Sequence, residues 1–145
     1  MTRPIPPLRL TGAEVLTGPA LEEGPLTLAE GRIADGPAPE VDLSGYLVLP
    51  GIIDLHGDGF EHQIAPRASA QLPLGPALAA VDRDAAVNGV TTLWLAQGWS
   101  WEGGRRSPEF AETLLFELAA HRPQALTDMR VQIRCETHMP ETRNA

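Results

Sequence analysis

The sequence predicts an α/β fold, and three observations predict it. Apolar, partly β-branched runs at residues 46–55, 90–96 and 130–135 read as strands. Between them, residues 74–88 and 107–121 carry apolar side chains at spacings of three and four, the period of a helix face. Before residue 46 there are only short extended pieces broken by glycine and proline. Alternation of strand and helix indicates a parallel sheet, because parallel strands need a long crossover between them.

Taken in order, residues 8–15 read as a strand, and residues 26–28 and 32–34 as two more around a tight turn at Glu30-Gly31. Residues 36–39 are a loop and 41–43 another extended piece, so residues 1–46 are expected to form a small antiparallel sheet without a full core. Residues 46–55 (YLVLPGIIDL) are apolar almost throughout, as suits a strand buried on both faces. In the first helix Leu78, Val81 and Ala85 share one face, and Gly89 ends it. Ser107 is placed to cap the second helix, with Pro108 in its first turn and Glu109 toward the positive end of its dipole. Phe110, Leu114, Leu118 and His121 continue that helix, His121 reading as a cation at its C-terminal end.

Composition sets the class. The 145 residues are 43% hydrophobic and 21% charged, in the globular range. A net charge of −8 argues against nucleic acid or an anionic membrane as partner, since either would repel the chain. A single cysteine, Cys135, excludes an intrachain disulfide and points to a reducing cytoplasm. The first ten residues lack the apolar stretch of a secretory signal, and no run approaches the ~18 apolar residues of a membrane span.

In parallel α/β folds reactive groups gather at the C-terminal ends of strands. Here the first such end carries His56 and Asp58, with Glu61 and His62 behind, and the third carries Cys135, Glu136 and His138. Residues 56 and 58 lie two apart on an extended chain and can point the same way. An imidazole and a carboxylate, joined by a carboxylate from a neighbouring strand, is the donor chemistry of a hydrolytic metal site. Other residues have plainer readings. Asp54 supports the backbone, Cys135 is a buried thiol, and Trp94 belongs to the core. Trp99 and Trp101 pack or cover a pocket, and His62 and His138 are solvated.

The run Pro50-Gly51-Ile52-Ile53-Asp54-Leu55-His56 resembles the strand-one signature of the amidohydrolase superfamily. That superfamily usually continues His-x-His, whereas this chain has His56-Gly57-Asp58. With Glu61, Pro66-Arg67, the AAVNGVTT segment at 85–92 and Arg134-Cys135-Glu136, the chain is most similar to the phosphonate-utilisation branch, the α-D-ribose 1-methylphosphonate 5-triphosphate diphosphatases. The resemblance spans residues 42–136. It implies an incomplete (β/α)8 TIM-type barrel of about three βα units over residues 47–145, preceded by a β-rich segment over 1–46 that is part of a β-sandwich. It implies His56, Asp58 and Glu136 as ligands of one or two divalent ions, zinc or manganese foremost, with iron and cobalt compatible. It makes Asp58 and Glu61 the catalytic candidates and gives Arg67 a phosphate contact in place of a merely solubilising role. The implied substrate is a phosphorylated small molecule, a ribose 5-triphosphate phosphonate cleaved to the 5-phosphate and pyrophosphate.

A full barrel needs ~250 residues, and fewer than one hundred follow the preamble. The expectation is a truncated chain, inactive alone, with two unpaired sheet edges and no closing element in residues 141–145. A homo-oligomer of the full-length form is left open. The competing readings are another amidohydrolase, such as a deacetylase or deaminase of a small molecule, and a non-catalytic half-barrel interaction protein.

Overall fold

The computed structural model of the chain describes residues 5–67, 69–136 and 138–139; the expectation for residues 141–145 lies outside them. The chain divides into two compact units, residues 1–50 and 51–145.

The first unit is made of short strands: β1 (Leu8–Thr11), β2 (Glu14–Thr17), β3 (Ala20–Glu23), β4 (Leu26–Ala29), β5 (Arg32–Ala34), β6 (Glu40–Asp42) and β7 (Leu47–Val48). They form two sheets, ordered β5-β4-β1-β6 and β3-β2-β7. The β4–β5 hairpin closes with Ala29 opposite Arg32, and both Glu30 (φ 52°) and Gly31 (φ 72°) take the positive φ of a two-residue turn. Two expectations are corrected. The strand over residues 8–15 is two strands, because the chain turns at Gly12 (φ 74°), where a Cβ would overlap the Ser44 hydroxyl. The sheets are mixed and not antiparallel throughout, since β1 pairs with β6, and β2 with β7, in parallel.

The second unit holds β8 (Ile52–Gly57), α1 (Phe60–Ile64), α2 (Leu74–Val87), β9 (Val90–Trp99), α3 (Pro108–His121) and β10 (Asp128–Cys135). A single 3-10 turn precedes α3 at Gly104–Arg106, and another follows it at Arg122–Gln124. The strands form a parallel sheet ordered β10-β9-β8. Leu78, Val81 and Ala85 of α2, Leu114 and Leu118 of α3, and Leu93 and Leu95 of β9 are buried together, and Phe60 and Ile64 of α1 join them. Ser107 caps α3 by accepting the Phe110 N–H at 3.2 Å, and α2 ends before Gly89 at φ 77°. Among the described residues no helix is long and apolar enough to cross a membrane.

The expected (β/α)8-type barrel is overturned. The described residues form three separate small sheets, two mixed and one parallel, with three α-helices. Barrel closure requires the edge strands to find partners, and here β8 and β10 are both edges beside a central β9. For the same reason the apolar run at 46–55 is not one strand buried on both faces. It breaks at Pro50-Gly51 into β7 and β8, and Ile52, Ile53 and Leu55 are 55, 61 and 68% exposed. Gly51 passes so close to Thr91 that any Cβ there would overlap its side chain. Cys135, expected to be buried, is exposed on the free edge of β10.

His121 does stand in the last turn of α3, but its side chain is buried. It is 6% exposed, and its Nε2 lies 3.0 Å from Asp82 Oδ2, itself on a residue 1% exposed in α2. Asp82 also accepts from the Leu126 N–H (2.8 Å), the Thr127 N–H (2.9 Å) and the Thr127 hydroxyl (2.7 Å). One carboxylate thus ties α2 to the end of α3 and to the start of β10. Burial pushes its pKa up, but these hydrogen bonds outweigh burial and hold it below the ordinary value. Asp82→Ala is expected to lower the unfolding free energy by about 3–5 kcal/mol, because it strands buried donors, measured by urea denaturation at neutral pH. A carboxylate with a lowered folded pKa contributes above its unfolded value of about 4 and loses that contribution as pH falls through the folded value. The gap between wild type and variant should therefore narrow in acid.

Candidate functional site

The site is built at the C-terminal end of the β8–β9–β10 sheet. The pairing of β8 with β9 is irregular between Asp54 and Gly57, where Leu93 and Leu95 are the partners. The extra residue bends the strand end. Gly57 is buried there, and a Cβ on it would press on Leu93 and on the Trp94 carbonyl. Asp54 Oδ1 accepts the His56 N–H at 2.9 Å and holds the irregular segment. Asp54 therefore plays the backbone-supporting part. The chain then turns into α1, whose Glu61 N–H donates to the Asp58 carbonyl at 3.2 Å. Phe60 and Ile64 anchor α1 in the core, which leaves Glu61 half-buried and Asp58 exposed.

Strand β9 is longer than the apolar run 90–96 suggests and reaches Trp99. Its extension contains Gln97, 2% exposed. The Gln97 amide donates to the Gly98 carbonyl (2.8 Å) and to the Arg105 carbonyl (2.7 Å). The Ser100 N–H donates to the Arg106 carbonyl at 2.7 Å. Gly98 lets the Arg106 side chain lie against the strand, since a Cβ at 98 would come within 3.3 Å of the Arg106 Cβ and Cγ. The loop carrying Arg105 and Arg106 is thus fastened to the strand by its backbone. Arg106 Nη1 donates to Glu102 Oε2 at 2.7 Å. That hydrogen bond first, then the charge of Glu102 and the more distant charges of Glu61 and Glu136, raise the Arg106 pKa further.

From β10, Arg134 sits opposite Gly98 and sends Nη1 to within 3.4 Å of His56 Nε2. Arginine only donates, so the imidazole nitrogen is the acceptor. Asp58, Glu61, His62, Arg105, Arg106 and Arg134 line one cleft of about 450 Å³. Beyond it, the Trp101 indole N–H donates to His138 Nε2 at 2.7 Å, so His138 is not merely solvated.

The residues singled out from the sequence are placed as follows. Asp58 and Glu61 share the cleft, and His56 touches its Arg134. Glu136 is exposed just past β10, with its charge felt at Arg106. Arg67 does not line this cleft; it forms an isolated bridge with Ala70. Among the described residues no three His, Cys, Asp or Glu side chains gather as a metal-holding group. The set His56, Asp58 and Glu136 is therefore not assembled, and the neighbour of His56 Nε2 is a cation instead of a carboxylate. Arg105, Arg106 and Gln97 carried no functional reading in the sequence. The available signals were the Gly-Gly-Arg-Arg run directly after a strand and a glutamine following an apolar one.

No family model matches the chain, and no curated protein matches it in sequence.

Gln97→Leu should leave the Arg105 carbonyl without its donor and cost about 1–3 kcal/mol. Hydrogen exchange at the Ser100 amide should speed up in the variant. An unchanged rate would count against a pinned loop.

Proposed function

We propose that the chain carries part of the site of an amidohydrolase-like hydrolase acting on a phosphorylated small molecule. The observation that supports this reading is the meeting of two distant sequence segments. His56, from the DLHGDGFE run, lies 3.4 Å from Arg134, from the RCE run, across 78 residues of sequence. Asp58, Glu61 and Arg134 from the same two runs line one cleft.

The reaction proposed is hydrolysis of a phosphoanhydride. Water adds to phosphorus, the bond to the bridging oxygen breaks, and pyrophosphate leaves from a ribose 5-triphosphate ester. In this scheme Asp58 or Glu61 accepts the proton of the attacking water. The cleft's guanidinium groups offset the charge of the phosphoryl oxygens. A zinc or manganese ion belongs to the proposal on donor chemistry alone, an imidazole with carboxylates. His56, Asp58 and Glu136 do not fit an ion as they are placed, so no step is routed through it.

Release of pyrophosphate from a ribose 5-triphosphate ester by the whole chain tests this reading. Asp58→Asn and Glu61→Gln, which remove the candidate proton acceptors, should lower the rate about 100-fold or more at whichever carboxylate serves as the base. Release that is absent, or indifferent to both substitutions, would remove the support for a hydrolytic site here.

A further inference from the structure

We propose that two copies of this chain pair face to face through the open side of the β8–β9–β10 sheet, so that Arg134 of each copy meets Asp58 of the other. The proposal does not rest on the hydrolase reading.

The helices cover one side of the sheet only. All three α-helices join a single core with Leu93, Leu95 and Met129 of the strands. Alternate residues of a strand point to opposite faces, so Trp94, Arg130 and Arg134 look away from the helices. The Arg130 guanidinium accordingly lies over the Trp94 ring, 5.2 Å from its centroid. On β8, Asp54 pairs with Leu93 and Ile53 with Thr92, which puts Ile53 on the Trp94 side. Ile53 and Leu55 are both more than half exposed. Parallel sheets have both faces covered, and a contiguous apolar surface left to water is a surface for association.

Charge selects a second copy and its orientation. Arg130 is already paired with Asp128, whereas Arg134 and Asp58 make no ion pair among the described residues. With the twofold axis along the strands, β8 lies over β10 of the other copy. Ile53 and Leu55 then rest on the hydrocarbon stems of the arginines, and Trp94 meets Trp94 near the axis. Each Arg134 reaches the end of the other β8, where Asp58 stands exposed. With the axis across the strands, β10 would lie over β10 and arginine would meet arginine. Two chains of net charge −8 repel each other. A face whose strands carry Arg134 in excess over the Asp128–Arg130 pair meets less of that repulsion. Three strands ~4.8 Å apart, with ~3.3 Å per residue along them, make a face of about 14 by 26 Å over the eight residues of β10. That is at the low end for a specific contact, so the expected dissociation constant is on the order of 10–100 µM.

The test is equilibrium sedimentation of the whole chain from about 5 to about 500 µM, a range that brackets the expected constant. The mass should rise from one chain to two and stop there. Leu55→Asn and Ile53→Asn, which remove apolar cover without adding charge, should each weaken pairing about tenfold or more. Arg134→Glu and Asp58→Arg should each weaken it, and the two together in one chain should restore it. Phe116→Ser, on the exposed outer side of α3, should change nothing. The substituted side chains are exposed, and circular dichroism checks that each variant is folded; should Leu55→Asn unfold, Ile53→Asn decides. A chain that stays monomeric at the top concentration would overturn the proposal. So would a mass that grows past two copies, dissociation by Phe116→Ser in place of Leu55→Asn, or no rescue in the charge-exchanged double variant.

Discussion

The buried carboxylate of Asp82 is the constraint on which the rest of the second unit depends. It draws donors from His121, Leu126 and Thr127, and so fixes where the chain leaves α3 and where β10 begins. Asp128 follows directly and pairs with Thr92, and the register then runs unbroken to Cys135 opposite Trp99. Arg134 therefore lands opposite Gly98, at the height of His56. A parallel pair can slip in register, and a slip of one residue would turn Arg134 to the other face of the sheet. The clamp, far from the cleft in sequence, sets which side chain β10 presents to it.

A second polar group does for the loop what Asp82 does for the strand. Gln97 is buried in β9, and its amide holds the Arg105 carbonyl. An amide in that position costs little because both its donors are used. The consequence is electrostatic. A chain of net charge −8 brings three of its arginines together in one cleft, beside Asp58 and Glu61. Holding like charges close together is unfavourable, and a fastened backbone prevents them from moving apart. Glu102 relieves Arg106 but not Arg105 or Arg134.

The helices of the second unit were legible in the sequence, because periodicity reports a local face. Leu78, Val81, Ala85, Leu114 and Leu118 are buried as their spacing predicts, and Ser107 caps as its position predicts. What depends on partners elsewhere in the chain was not legible. The apolar run around Ile52, Ile53 and Leu55 signals burial, but burial needs a neighbour, and β8 has only β9. His121 looked like a helix-end cation because nothing local reveals Asp82 thirty-nine residues earlier. In the cleft, Asp58 and Glu61 were readable from the strand-end pattern. Arg105 and Arg106 were not, since charged loop residues are usually solvated and only the Gln97 tether distinguishes these.

The donors His56 and Asp58 were expected to project together by the alternation of an extended strand. That alternation fails at the irregularity between Asp54 and Gly57. Leu55 and His56 are both exposed, and Gly57 is buried between His56 and Asp58. The ring of His56 is thereby turned along the sheet toward Arg134 on β10, across the full width of β9. An imidazole facing a guanidinium has its ring nitrogen occupied as an acceptor, because Arg134 can only donate, and this is why the alternation of the strand did not deliver a metal-facing pair.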